Sequence, residues 1–283
     1  RAYVWSKSDG LTKIPLPNGK TGETRAWDIN EDGQVVIEVN PKDQNSDLES
    51  TYLWTDGNYQ ALEIDGGEEP SGHDVNDSGV VVGRCSIGGC MYDGEWKPIA
   101  RDLDGPPMAI NNNNWIVGDA LHNGYTRAFI WTPDDGTNYL GTFSQHSDRS
   151  SRAWAVNDAG QVVGQAAVDW DAEHSTDHGF LWEDGEMTDL GSIGETKAAS
   201  YAYGINEDGV IVGHADTVDM KHASHGVVWT ADGQGPIALD PQVENLGDYH
   251  ITSAIDINDN GVIVAGAVKG EDDARTVVLE PTE

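Results

Sequence analysis

The stretch AWDINEDGQVV at residues 26–36 recurs along the chain and decides the fold. Each copy has an apolar run, a turn that contains Asn, and a second apolar run. Aligned on that Asn, the copies lie between 35 and 52 residues apart, a spacing typical of propeller blades or solenoid units. The further copies are GHDVNDSGVVV (72–82), MAINNNNWIV (108–117), AWAVNDAGQVV (153–163), AYGINEDGVIV (202–212) and AIDINDNGVIV (254–264).

A second motif follows each copy, and with it the repeat becomes a four-stranded unit. It is a short apolar run ending in Trp or Tyr, followed by a Gly-containing turn of the kind that closes hairpins, as in HGFLWEDG (178–185). Period-2 patterning predicts an antiparallel meander of strands a to d, with no sustained helical periodicity. In the first unit these strands are AWDIN (26–30), GQVVIEV (33–39), TYLW (51–54) and NYQALEI (58–64).

Sheets that are apolar on both faces must stack, and a propeller buries both faces while leaving short, protected edges. We therefore predict an all-β, six-bladed β-propeller of four-stranded antiparallel blades, with residues 1–283 as a single domain. Residues 1–25 supply a c and a d strand, so we expect the ring to close by pairing these N-terminal strands with the C-terminal repeat. The c-like strand 275–279 then either replaces one of them or adds an edge, and a seven-bladed ring would leave one blade half built. The predicted units are 26–71, 72–107, 108–152, 153–201, 202–252 and 253–283.

Three segments carry a family resemblance. HGFLWEDGEMTDLGSIG (178–194), RAFIWTPDDGTNYLGTF (127–143) and INEDGVIVG (205–213) resemble the HAF-repeat family of extracellular bacterial proteins, named for a His-Ala-Phe run. The His position is filled by His178 and His225, and in three further copies by Arg1, Arg127 and Arg275. The resemblance implies an extracellular repeat protein, and it carries no catalytic residue over to this chain.

Composition excludes several classes of function. The chain has 49 acidic and 16 basic residues and a formal net charge of −33, which repels nucleic acid and anionic lipid. Apolar runs stay short of the 18 residues that indicate a membrane helix. We predict a protein without nucleic-acid binding or membrane insertion, located outside the cell or on its surface. The sequence does not predict an oligomeric state.

The two cysteines, Cys85 and Cys90, flank SIGG. If the flanking runs form a hairpin, the two residues face each other across the strands within bridging distance. We predict a disulfide and hence an oxidising compartment. Two reduced, half-buried thiols are the alternative.

The second residue of each repeat copy is the first candidate for ligand contact. Strand a has small residues at its start, so we place it innermost, with its first residues at the channel mouth beside the longer loops. Aromatic rings there suit stacking on a sugar, and Arg suits a carboxylate or sulfate. Packing between blades is the alternative explanation for the same pattern. The candidates are Trp27, His73, Trp154 and Tyr203, with Arg25, Arg152 and Tyr201 two positions earlier and Met108 and Ile255 at the remaining copies.

Histidines in the connecting loops are the second candidate. His146, Trp170 and His174 are taken as ligand contacts; solvated loop histidines, a metal site or a catalytic cluster are the alternatives. Spacing typical of metal or nucleophile motifs is missing, so the sequence predicts no metal site and no cofactor. A structural calcium ion is the one exception: Asp28-x-Asn30-x-Asp32-Gly33 matches half of a calcium loop, although Val39 stands where the bidentate acid belongs. Six of the nine histidines fall between 146 and 225, mostly in the expected long loops: His146, His174, His178, His214, His222 and His225.

These observations favour a non-enzymatic extracellular module that binds a glycan or protein partner on the face that carries the long loops. Those loops are expected at 38–49, 141–152, 165–177, 191–201, 214–224 and 241–252. A lyase acting on acidic polysaccharides is the first alternative, with Arg152 or Arg25 neutralising a carboxylate and His73 or Tyr203 moving the proton. A subunit of a larger surface assembly, joined through the edge at 275–279, is the second.

Overall fold

The computed structural model describes residues 1–40, 50–64, 70–86, 88–100, 103–146, 148–171, 173–194, 197–217, 224–231, 235–270 and 273–282. Over these residues the chain is all-β, and its single helical element is a 3₁₀ turn at Asp240–Gln242. Within this described part of the chain, none of the helical structure has the length and apolar character needed to cross a membrane. The chain divides into two compact units, 1–120 with 131–137, and 121–130 with 138–283.

The first unit contains an N-terminal hairpin and two complete four-stranded antiparallel sheets. The hairpin is β1 (Tyr3–Ser6) and β2 (Gly10–Lys13). The first sheet consists of β3 (Glu23–Ile29), β4 (Val35–Asn40), β5 (Ser50–Thr55) and β6 (Asn58–Ala61). The second consists of β7 (Ser71–Val75), β8 (Val81–Cys85), β9 (Gly88–Tyr92) and β10 (Trp96–Pro98).

A third four-stranded sheet has residues in both units, and the second unit contains the remaining three sheets. The third sheet is β11 (Pro107–Ile110), β12 (Ile116–His122), β13 (Tyr125–Thr132) and β14 (Gly136–Tyr139). The fourth is β15 (Ser151–Val156), β16 (Val162–Asp169), β17 (Ser175–Glu183) and β18 (Glu186–Asp189). The fifth is β19 (Ser200–Ile205), β20 (Ile211–Asp216), β21 (Ser224–Trp229) and β22 (Ile237–Ala238), and the sixth is β23 (His250–Ile257), β24 (Ile263–Lys269) and β25 (Asp273–Leu279).

The sheets confirm the predicted fold class, a six-bladed β-propeller of antiparallel meanders. In the first five sheets strands a to d follow one another in space. The sixth blade differs from the expectation. Its third strand is β25, which pairs with β24 along its whole length, from Lys269↔Asp273 to Ile263↔Leu279. Among the described strand pairs, β1 and β2 pair only with each other, so the pairing expected between N-terminal strands and C-terminal repeat is not seen. The position beside β24 is already filled.

The b strands show why these sheets stack. Val35 and Ile37 of β4 pack into one cluster with Ala2 and Ile14 of the N-terminal segment. Val36, between them in sequence, packs on the other face with the next sheet, through Val75 and Val81 among others. Alternate residues of one strand thus bury opposite faces, as expected for a sheet that is apolar on both faces.

The second unit repeats this arrangement. Trp229 is fully buried in a cluster shared by the fourth and fifth sheets, which includes Val163 and Ala202. Val212 and Ile251 join the fifth sheet to the sixth on the opposite face. Both faces of the fifth sheet are therefore core.

The repeated Asn closes the a–b turn in every blade. In the fourth blade, Asn157 N–H donates to the Gln161 carbonyl, and Gly160 N–H donates to the Asn157 carbonyl. The Asn157 side-chain oxygen accepts from Gln161 N–H at 3.0 Å. The residue three positions after the Asn has positive φ, and in the third blade Asn114 (φ 58°) takes the place of glycine. The same backbone pattern occurs at Asn30, Asn76, Asn111, Asn206 and Asn258.

The same Asn side chains also join neighbouring blades, which the sequence analysis did not foresee. In the second unit, Asn157 Nδ2 donates to the Asn206 carbonyl at 3.1 Å, and Asn206 Nδ2 donates to the Asn258 carbonyl at 3.3 Å. In the first unit, Asn30 Nδ2 donates to the Asn76 carbonyl and Asn76 Nδ2 to the Asn111 carbonyl. Each of these Asn side chains therefore closes its own turn and is hydrogen-bonded to the a–b turn of the next blade.

The predicted disulfide is present between Cys85 and Cys90, whose Cα atoms lie 5.9 Å apart. The expected directly opposite placement is wrong. In the register of β8 and β9, Cys85 lies opposite Gly88, and Cys90 lies opposite Gly83. The two cysteines are diagonal neighbours on one face, two residues out of step, and the facing glycines have no side chains to obstruct them.

We expect reduction of this disulfide to lower the free energy of unfolding by about 2 kcal/mol, a modest effect because the loop that it closes is short. Urea unfolding with and without reductant measures the change, and a Cys85→Ala/Cys90→Ala double variant should show no effect of reductant. Full labelling of both cysteines by a thiol reagent in folded protein purified without reductant would contradict the disulfide.

Candidate ligand-binding surface

Each a strand has a β-bulge at the second residue of its repeat copy. In the fourth sheet Ala153 pairs with Gly164 and Ala155 with Val163, so Trp154 is the extra residue. A bulge re-aims its side chain, and bulges are frequent beside functional sites. The bulged positions are Trp27 (with Asp28), His73, Met108, Trp154, Tyr203 and Ile255, the same six positions that the repeat alignment singled out.

In the second unit four rings form one half-buried cluster, which we call the aromatic surface: Trp154, Tyr201, Tyr203 and His214. The Trp154 and Tyr203 rings meet edge to face, with centroids 6.2 Å apart. Tyr201 and Tyr203 are nearly parallel at 6.2 Å, and the His214 ring lies 4.6 Å from Tyr201. The structure therefore brings together three of the predicted contacts, on adjacent blades.

Polar side chains from the neighbouring strands hold these rings. Trp154 Nε1 donates to Gln165 Oε1 at 3.1 Å, and Gln165 Nε2 donates to Asp177 Oδ2 at 3.0 Å. The Tyr203 hydroxyl is hydrogen-bonded to His214 Nδ1 at 2.9 Å. The sequence analysis missed Gln165 and Asp177 altogether, and it grouped His214 with the loops. A constant spacing in the sequence could have indicated Gln165 and His214, because each lies on strand b, 11 residues after the bulged aromatic residue that it contacts.

Burial sets the ionisation of this cluster. It raises the pKa of the Tyr203 hydroxyl to about 12 and lowers the pKa of His214. Burial also raises the pKa of Asp177, although the Gln165 hydrogen bond and the positive charge of Arg152 oppose the rise. At neutral pH the surface therefore presents a neutral phenol, a neutral imidazole and, at its exposed margin, Arg152.

In the first unit the corresponding residues, Arg25, Trp27 and His73, contact one another. The Arg25 guanidinium lies 3.8 Å from the centroid of the Trp27 ring, and Trp27 Nε1 donates to Glu38, which is buried. His73 packs 5.0 Å from Trp27, and its Nδ1 is hydrogen-bonded to the Pro107 carbonyl at 2.7 Å. Burial lowers the pKa of His73. Arg25 covers Trp27, so this cluster offers a ligand less aromatic face than its counterpart.

The loop candidates His146, Trp170 and His174 lie in the second unit around a shallow pocket of about 390 Å³, lined in part by His146 and Trp170. The Trp170 and His174 rings stack at 4.8 Å, and the Lys197 ammonium lies 4.4 Å from the Trp170 ring centroid. His174 Nδ1 is 2.8 Å from the Asp171 carboxylate. The Trp170 ring is therefore already in contact with His174 of its own loop and with Lys197 of another connection.

Two expectations about the loops need correction. The connection expected at 165–177 is short, because β16 and β17 stay paired as far as Asp169↔Ser175. Of the described histidines between 146 and 225, three lie on strands and not in loops. They are His214 on β20, His225 on β21 and His178 on β17, where His178 is buried with Nδ1 2.9 Å from Asp189. The expected loop 38–49 lies mostly outside the described residues, as do His222 and the end of 214–224.

One group of side chains in the described part of the chain has the composition of a metal site. It comprises His225, Asp240 and His250, with candidate ligand atoms within 4.8 Å of one another. It was not among the predicted site residues.

The sheets and their repeated bulges define a β-propeller protein, and the comparisons agree. The chain belongs to the family described as "Protein of unknown function (DUF3466)", whose model matches residues 104–279. No curated protein matches the chain. The expected relationship to HAF-repeat proteins stays a prediction, since the family description does not mention that repeat.

Two solved structures are similar to this chain, and the likeness in fold rests on the first of them. The β-propeller domain of the Trilobed protease from Pyrococcus furiosus, described as having an open velcro topology, is 14% identical with a TM-score of 0.57, over 92% of this chain and 82% of that one. Dipeptidyl peptidase 4 from Porphyromonas gingivalis is 10% identical with a TM-score of 0.48, over 92% of this chain and 46% of that one. At these identities the likeness extends to the fold alone.

Proposed function

We propose that this propeller is an extracellular, non-enzymatic module that binds a glycan on the aromatic surface. The observation that carries the proposal is the set of half-buried rings at bulged strand starts, Trp154 and Tyr203, with Tyr201 beside them. Such rings give a sugar apolar faces to stack on, and the neighbouring amide, imidazole and carboxyl groups give it hydrogen-bond partners.

Charge narrows the class of glycan. Arg152 is exposed at the margin of the aromatic surface and is the cation near Asp177. In a chain with a net charge of −33, a local arginine is the group able to attract a uronate or sulfate. We therefore propose acidic oligosaccharides as the ligand class. A protein partner is the alternative occupant of the same surface.

The extracellular location rests on two supports. The disulfide between Cys85 and Cys90 is typical of oxidising compartments, and the acidic composition suits a solvent-exposed secreted protein.

The ionisation of the cluster favours binding over lyase chemistry. A lyase needs a group that accepts a proton near neutral pH. A Tyr203 hydroxyl with a pKa of about 12 stays protonated, which makes it a poor base. Burial lowers the pKa of His73, the other candidate base, which makes its imidazole a weaker proton acceptor. Ultraviolet absorbance from new unsaturated ends, after incubation with a panel of acidic polysaccharides, would instead support the lyase.

The assembly hypothesis rests on the last sheet. Among the described strands, β25 pairs on one side only, with β24. Val277 and Leu279 line a pocket of about 680 Å³ beside it, together with Leu246 and Val243. An exposed strand edge can pair with another chain, and native mass spectrometry would show whether it does so here.

We expect Trp154→Ala to weaken binding of uronate oligosaccharides about 5- to 30-fold, since stacking on a large ring supplies roughly 1–2 kcal/mol of such affinity. Isothermal titration with oligogalacturonate and oligoalginate, and with neutral cello-oligosaccharides for comparison, measures the effect. Trp5→Ala is the matched control, because Trp5 is an exposed Trp, 39% accessible, in the other unit.

Stability separates binding from packing. A core Trp→Ala replacement lowers the free energy of unfolding by about 3–5 kcal/mol. Because Trp154 is half-buried, Trp154→Ala should lower the free energy of unfolding by clearly less. If Trp154→Ala unfolds as easily as a core variant while its folded fraction binds normally, the aromatic surface is core and the proposed site is wrong.

A further inference from the structure

A second cluster, separate from the aromatic surface, joins two strands and the 3₁₀ turn of the second unit. His225 lies on β21, Asp240 begins the 3₁₀ turn, and His250 begins β23. One candidate ligand atom from each residue lies within 4.8 Å of the others. The rings of His225 and His250 meet edge to face, with centroids 4.7 Å apart, and His250 is only 8% exposed. Two imidazoles and a carboxylate thus converge in a largely buried place.

Hydrogen bonds to backbone groups orient two of these side chains, His250 and Asp240. His250 Nε2 lies 2.7 Å from the Ser224 carbonyl oxygen, which can only accept, so this nitrogen carries the proton. Asp240 Oδ1 accepts from Ile251 N–H at 2.7 Å. The remaining atoms, His250 Nδ1 and Asp240 Oδ2, are in direct contact. A ring nitrogen lone pair and a carboxylate oxygen repel each other unless a proton or a metal ion lies between them.

This is the arrangement that metal-binding histidines adopt. A ligating imidazole usually donates its other N–H to a carbonyl or carboxylate, and ligating carboxylates are themselves hydrogen-bonded, because these contacts fix the ligand geometry. Both features are present here, at Ser224 and at Ile251.

We propose that His225, Asp240 and His250 bind a divalent transition-metal ion, with Zn²⁺ as the best match. Two imidazoles and one carboxylate are a donor set that zinc accepts, and three protein ligands leave a coordination position for water. Zinc bonds of about 2.0–2.2 Å hold tetrahedral ligand atoms roughly 3.4 Å apart. The candidate ligand atoms lie within 4.8 Å of one another, so binding of the ion requires the side chains to adjust to that distance.

The preceding blade provides an internal comparison. Its equivalent histidine, His178, contacts Asp189 at 2.9 Å, and Ser200 on the following a strand accepts from Gly179 N–H. A second imidazole does not join this pair among the described residues. The metal site is therefore specific to one blade, and we do not expect it at the other copies of the motif.

The test is titration of the chelator-stripped, oxidised protein with Co²⁺, followed by displacement with Zn²⁺. We expect one strong site per chain, visible as the intense visible absorption of low-coordinate Co²⁺, and a rise in Tm when Zn²⁺ is added. His225→Ala should weaken Zn²⁺ binding by at least about 10–100-fold, the loss seen when even supporting residues of metal sites are removed. It should also abolish the Zn²⁺-dependent rise in Tm.

His174→Ala is the control, because His174 also contacts a carboxylate, that of Asp171, but is exposed and lies outside the cluster. It should bind Zn²⁺ like the wild type. His225 is preferred to the more buried His250 because its loss is less damaging to the core. If His225→Ala binds Zn²⁺ as tightly as the wild type, or the wild type shows no site stronger than this variant does, the contact between His250 and Asp240 is a shared proton and the proposal is wrong.

Discussion

Replacing Gly164 with Ala is expected to disrupt the fourth blade, although it adds a single methyl group. Gly164 on β16 lies opposite Ala153, beside the bulge that presents Trp154. A Cβ at this position would lie 2.0 Å from the Arg152 carbonyl oxygen and 2.8 Å from the Phe180 ring. The first of these contacts is with backbone, so two paired strands would have to separate. We expect a loss of more than about 4 kcal/mol in the free energy of unfolding, or no folded protein.

Gly266→Ala is the matched control, on the b strand of the sixth blade. Its Cβ would meet only the Thr252 hydroxyl, at 3.6 Å, which is an ordinary contact. This variant should unfold within about 0.5 kcal/mol of the wild type. Urea unfolding followed by far-ultraviolet circular dichroism compares the two. Equal stabilities would show that the strands yield easily and that the bulge does not depend on a glycine opposite it.

The sequence could not predict the importance of this glycine. A Gly within an apolar strand indicates a bulge or a close approach of backbone, without saying where the neighbouring chain lies. The pattern is also incomplete, because Ile37 faces Ala26 in the first blade and Ala265 faces Ala254 in the sixth. The requirement appears only when the register of strands a and b is known.

Local chemistry explains what could be predicted. Asn and Gly at fixed positions determine the turns, so even the substitution of Asn114 for glycine at positive φ was foreseeable. Two cysteines flanking a hairpin turn predicted their disulfide. The bulged aromatic residues were visible as a repeated position within each copy.

The contacts between blades could not be predicted from the sequence. Asp240 and His250 meet although a connection separates them. β25 pairs with β24, whereas the sequence allowed 275–279 either to replace an N-terminal strand or to add an edge. A repeat pattern specifies the strands and turns of each blade. A site formed by two neighbouring blades depends on residues that differ from the repeat and on how the two blades are aligned.

The Asn side chains between blades lead to the second large effect. Asn157 is 2% exposed, and its amide donates to Gln161 Oε1 and to the Asn206 carbonyl while its oxygen accepts from Gln161 N–H. Asn157→Ala removes all three hydrogen bonds and leaves buried backbone groups without them. At about 1 kcal/mol for each bond, we expect a loss of roughly 3 kcal/mol in the free energy of unfolding.

Asn258→Ala is the control within the same motif. Asn258 is exposed, and its side-chain oxygen accepts from Asn260 N–H and Val262 N–H in its own turn. Water can replace those bonds, so this variant should lose about 1 kcal/mol. If the two variants are equally stable in urea, the bridge from Asn157 to the next blade contributes nothing and the Asn acts only within its turn.

Asn157→Asp separates the two roles of the side chain. The introduced carboxyl keeps the oxygen that closes the turn but, when ionised, cannot donate to the Asn206 carbonyl and is repelled by it. Burial beside a carbonyl raises the pKa of such a carboxyl in the folded state. A raised folded pKa means that the folded state holds the proton more tightly, so the variant gains stability relative to the wild type as the pH falls, and loses it as the pH rises through that pKa. Unfolding of both proteins in urea between pH 7 and pH 4.5 should therefore show their difference shrinking toward the acidic end. A constant difference over this range would mean that the amide hydrogen does not hold the two blades together.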